Sequence, residues 1–147
     1  MSENHSQSSY LEAFKGSFTS ALRWHHLDEL WETLRTQPDD WYIYAIGEHP
    51  PQEAVAADQF LSFIQEVDIL LRNEHDEDYC GIVYADDLNA PEMVKIYDPN
   101  NLGVSCGYSD NPPLPGWVLS KIAPIDLESD QLVPKNRKRW WQRVLGG

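Results

Sequence analysis

Gly103-Val104-Ser105-Cys106-Gly107 has the spacing of a G-x-S-x-G elbow, in which a serine hydroxyl is raised on a strained turn between a buried strand and a helix. The context argues against that chemistry. Asp98-Pro99-Asn100-Asn101 precedes the motif and a proline-rich stretch follows it, so neither flanking element is in place. The two glycines are expected to serve a turn and a strand end. The thiols offer a second chemistry: Cys106 or Cys80 could act as nucleophile if His75 or His49 took its proton, because the thiolate is the reactive form. The two cysteines lie 26 residues apart, which fits no Cys-x-x-Cys framework. In a meander they would stand two strand spacings apart, roughly 10 Å, too far for a disulfide. Free cysteines are among the most buried residue types, so small core side chains are the expected use.

Metal chemistry has a thinner basis. His25 and Glu29 are spaced i, i+4 on a predicted helix and could offer two ligands from one face. A third would have to come from His49 or from the loop His75-Asp76-Glu77-Asp78, and two ligands alone make no site. The sequence implies no cofactor. Short acidic clusters recur at Asp28, Glu29 and Glu32, at Asp39 and Asp40, at Glu74 to Asp78, at Asp86 and Asp87, and at Asp126, Glu128 and Asp130. Their ordinary use is a solvated surface. Their functional use is a patch whose charge selects and speeds a basic partner.

The charge is unevenly spread. Of 24 acidic and 11 basic side chains (Lys and Arg), net −13, residues 1–134 hold every acid and only six of the bases. The end of the chain, PKNRKRWWQRVLGG, has five basic residues, Arg139 and Arg143 among them, with Trp140 and Trp141 and no acid. Three uses are open to this tail. It could lie on anionic lipid, dock into a partner through Trp and Arg, or fold back on its own acidic body. An acidic body repels phosphate, so nucleic acid is excluded as its partner, and a basic protein or peptide is expected.

These features need elements to position them. A chain of 147 residues, 41% hydrophobic and 24% charged, matches one folded domain. Residues 1–8 read as a polar leader, 9–134 as a single domain and 135–147 as the tail. Leu11, Phe14, Phe18, Ala21 and Leu22, then Leu27, Leu30, Trp31 and Leu34, recur at helical spacing and predict helix over 9–36, with a break at Gly16 or at Trp24-His25. Pro38-Asp39-Asp40 stops it. WYIYAIGE (41–48) predicts a strand covered on both faces, and a stripe from Phe60 to Leu71 predicts a second helix over 52–73 with Pro51 at its start. Three strands are then expected at 79–86, 92–98 and 103–108, followed by a proline-rich loop and an apolar run, WVLSKIAPI. The order α-β-α-β-β-β predicts an α+β fold in which a small antiparallel sheet of about four strands carries two main helices on one side.

No basic-then-apolar secretion signal opens the chain and no apolar stretch approaches the roughly 20 residues a membrane-spanning helix needs, so a cytoplasmic protein is expected. The expected function is non-catalytic binding or regulation through a basic partner, with Asp76, Glu77, Asp78, Trp117 and the tail's Arg139, Trp140, Trp141 and Arg143 as contact residues. The alternatives are the thiol enzyme above and a metal-binding or peripheral membrane protein.

Overall fold

In the computed structural model, described for residues 9–101, 114–127 and 144, five antiparallel strands form one sheet between two unequal layers. The fold is α+β. Helix α1 occupies 9–14 and ends where Lys15 N–H donates to Leu11 O and Gly16 N–H to Ala13 O. The chain then runs extended through β1 (Thr19–Ser20) and re-enters helix as α2 (Trp24–Thr36). The predicted 9–36 helix is therefore broken from Gly16, one of the two suggested places, while Trp24-His25 opens α2, and a short strand fills the gap. His26 helps start α2, because its Nδ1 accepts the Arg23 backbone N–H at 3.2 Å. Asp40, at φ 67°, turns the chain out of the helix, a conformation that aspartate tolerates.

Strand β2 (Tyr42–Ala45) follows, then α3 (Ala57–Glu74), β3 (Val83–Ala85), β4 (Met93–Ile96), a 3₁₀ turn (Pro99–Asn101) and β5 (Trp117–Ser120). Helix α3 starts later than the sequence predicts. Val55 N–H is drawn to Trp41 O at 2.9 Å, so the segment before α3 lies along the outer edge of β2. The strand expected at 103–108 lies outside the described residues. The strand that pairs with β4 comes instead from the apolar run that starts at Trp117, and the spatial order is β1-β3-β4-β5-β2.

Register divides the side chains between two faces. Ala85, Val94, Leu119 and Ile43 align across one face, as do Val83, Ile96, Trp117 and Ala45. These meet Leu27, Leu30, Trp31 and Leu34 of α2 and Phe60, Phe63, Ile64, Val67, Leu70 and Leu71 of α3 in the main core. The 3.6-residue stripe on each helix and the two-residue alternation of each strand are the cause. The opposite face carries Tyr44, Met93 and Val118, covered by Tyr10, Ala13, Phe14 and Phe18 and by Ile125 and Leu127. The two main helices, α2 and α3, share one side as expected, while α1, the first part of the predicted 9–36 helix, and the residues after it cover the other, and the sheet has five strands rather than about four. Central strands with both faces buried read as continuous apolar runs, which is why WVLS carries no alternation.

Candidate functional site

The thiol option is weakened where it can be read. Cys80 is fully buried, and burial pushes its thiol up, so the thiolate is disfavoured. His75, its proposed base, also lies inside, with Nε2 2.9 Å from the Cys80 carbonyl oxygen. That contact holds the chain between α3 and β3 in place. His49 is exposed, on the turn after β2, and Cys106 with its G-x-S-x-G motif lies outside the described residues. His25 and Glu29 share the outer face of α2, but no group of three metal-ligating side chains forms among the described residues. The ring of His25 is 4.2 Å from that of His26.

The acidic residues are better organised than the sequence suggests. Trp24, at the first turn of α2, donates its Nε1–H to Glu77 O at 3.0 Å and packs edge-on to His75, with ring centroids 6.1 Å apart. The Arg72 guanidinium lies 4.9 Å over the same indole. These contacts pin the loop after α3 to the N-terminal end of α2 and present Asp76, Glu77 and Asp78 outward. Gly81 makes the exit possible: its φ is +69°, and a Cβ there would meet Tyr79 Cδ2 at 3.2 Å.

At the other end of α2 lies a cleft of about 510 Å³ between Thr33, Gln37 and the β3–β4 turn. The carboxylates shape that turn before they do anything else. Asp86 Oδ1 accepts the backbone N–H of Asp87 and of Glu92 at 2.9 Å and of Met93 at 3.2 Å, and Asp87 Oδ1 accepts from Asn89 and Ala90. Asp86, Asp87 and Glu92 all remain exposed. In the cleft, the Lys121 ammonium lies 4.6 Å over the Trp41 ring and donates to Asp39 O at 2.5 Å. A cation on an aromatic floor among acids is thus already part of this surface.

Between the two ends, Asp28, Glu29 and Glu32 occupy the outward face of α2, opposite buried Leu27, Leu30, Trp31 and Leu34. The 13 residues of α2 span roughly 20 Å at 1.5 Å per residue, and acids stand near both its ends and on its outward face, an acidic stripe into which Arg72, Arg35 and Lys121 intrude. Among the described residues, the ion pairs are Arg72 with Asp28 and Asp68, and Arg35 with Glu32 at 3.9 Å.

Of the other expected contact residues, Trp117 is 2% exposed and packs edge-on against Phe63, so it belongs to the core. Arg139, Trp140, Trp141 and Arg143 lie outside the described residues, whereas half-buried Val144 of the same tail packs against the main core. Trp24 and Trp41, which organise the two ends of the stripe, were read in the sequence only as parts of a helix and a strand. Trp41 follows Asp39-Asp40 directly, but Trp24 stands between Arg23 and His25-His26 with no acid beside it to signal its place. No family model, curated protein or solved structure matches this chain. Among the described residues, no helix is long and apolar enough to cross a membrane.

Proposed function

We propose that the chain is a non-catalytic cytoplasmic binding or regulatory protein that docks a basic protein or peptide along the acidic stripe of α2. The observation that carries this reading is the number of exposed acids about one helix, Asp76, Glu77 and Asp78 near its start, Asp28, Glu29 and Glu32 on its outward face and Asp86, Asp87 and Glu92 near its end, which outnumber the cations Arg72, Arg35 and Lys121 beside them. Fixed like charges on pinned loops favour a partner of opposite charge and raise its rate of encounter. For the tail, the packing of Val144 against the main core supports the use in which that segment folds back on its own body.

The test is fluorescence anisotropy with a Lys/Arg-rich peptide at low and at moderate salt. Glu29→Lys with Glu32→Lys should weaken binding by roughly tenfold or more, about 1.4 kcal/mol, and added salt should weaken it further. Glu12→Lys with Glu48→Lys makes the same change in net charge elsewhere and should cost much less. Equal losses from the two pairs would reduce the stripe to a general charge effect and defeat the proposal, as would no binding at low salt.

A further inference from the structure

The face of the sheet away from α2 holds a group that the acidic stripe does not involve. Register places Ser20, Tyr84, Lys95, Val118 and Tyr44 in one row across the sheet, with Lys95 at its centre on β4. The Lys95 ammonium lies 4.1 Å from the ring centre of Phe14 and 3.9 Å from that of Phe18. It is half-buried, and among the described residues it enters no ion pair and no hydrogen bond. Burial lowers its basicity, the expected result when an ammonium leaves water without a counter-charge.

Beside it is a cleft of about 270 Å³ lined by Phe14, Lys15, Lys95, Tyr97, Leu114 and Pro115. In a chain with 24 acidic residues, the described residues of this lining include two lysines and no carboxylate. Two more polar groups on this face lack a hydrogen-bond partner among the described residues: the buried hydroxyls of Ser20, in the Lys95 row, and of Tyr10, which stacks on Phe14.

We propose that this cleft binds a small organic monoanion, a carboxylate carried on an apolar or aromatic body, with Lys95 as its counter-ion. Aromatic rings stabilise the ammonium but cannot neutralise it, and a carboxylate can do both through a charge-assisted hydrogen bond. The apolar walls from Phe14, Leu114 and Pro115 suit the body of such a ligand rather than inorganic phosphate. The volume, at the small end for ligand sites, suits a compact molecule. The site lies on the opposite face of the sheet from the α2 stripe, so the two proposals stand or fall separately.

The experiment is an NMR titration of the full chain with 3-phenylpropionate, alongside the neutral 3-phenylpropan-1-ol, the cationic 3-phenylpropylamine and inorganic phosphate. The carboxylate should bind about tenfold or more tightly than the alcohol and shift residues of the cleft, with the amine and phosphate weaker still. Lys95→Met should bring the carboxylate down to the level of the alcohol, and Lys95→Arg should keep most of the preference. The Lys95 Nζ resonance of the unaltered protein gives a measure that needs no variant to fold: its titration should move to higher pH as the carboxylate saturates. Equal binding of acid and alcohol, tighter binding of phosphate, an unchanged Lys95→Met variant or an indifferent Nζ resonance would each overturn the assignment.

Discussion

One oxygen of Asp68 receives two donors at once, the buried Trp31 indole N–H at 3.0 Å and Arg72 Nε at 2.9 Å, and Arg72 then reaches Asp28 on α2 at 2.6 Å. The arrangement ties α3 to α2, and its strong member is the indole bond, since the Arg72 pairs are partly exposed and screened. Asp68→Ala should therefore destabilise the fold by about 1–3 kcal/mol, mainly by leaving the indole N–H unpaired. Asp68→Asn, which keeps an acceptor oxygen, should cost less than half as much in urea unfolding. Cys80 supports a second expectation at this scale. In a Cys106→Ser chain, an aromatic disulfide reagent at pH 7 should label Cys80 only as fast as the protein opens, because the thiol is buried and held protonated. Labelling at the rate of an unfolded thiol would refute that and reopen the nucleophile reading.

The β3–β4 hairpin is closed by a side chain, since Asp86 supplies one acceptor to three backbone donors. Asp86→Ala should cost about 1–3 kcal/mol and Asp86→Asn little, measured by denaturant midpoint, because only the first removes the acceptor. The elements that could be read from the sequence are those with a strong period. Helices α2 and α3 announce themselves through Leu27, Leu30, Trp31 and Leu34 and through Phe60 to Leu71, and β2 through its aromatic and β-branched run. Strand β1 could not be read, because two residues carry no alternation and its place is set by pairing with Tyr84 and Ala85, far along the chain. Strand β5 stayed ambiguous for the opposite reason: all four of its residues are buried, and a four-residue apolar run fits several structures. Of the stripe, every acid was visible but their alignment was not, since it depends on Trp24 reaching Glu77 across 53 residues. Lys95 gave no signal at all; only the register of β4 and the fold of α1 across the sheet bring Phe14 and Phe18 to it.

At the scale of the molecule, buried proton donors set the response to alkali. Burial raises Tyr10, Tyr44, Tyr97 and Cys80, so the native state keeps protons that the unfolded chain releases from about pH 8.5 for a thiol and about 10 for a phenol. The unfolded state then binds fewer protons, and stability falls as pH rises through that window. Lys95 works in the other direction: its lowered native value adds stability between that value and the unfolded one, about 10.4. With four groups against one, the urea midpoint should drop between pH 8 and 10.5, and absorbance at 295 nm should show a tyrosine fraction that ionises only with unfolding. The strand order has a temporal consequence as well. Tyr42–Ala45 can join the sheet only through Trp117–Ser120, so during synthesis the first of these must wait for the second to leave the ribosome. A nascent chain that has emerged only to residue 112 would contain α1 through β4, with the β4 edge open but the strand that pairs with β2 still missing, leaving Tyr42 to Ala45 for chaperones to shelter.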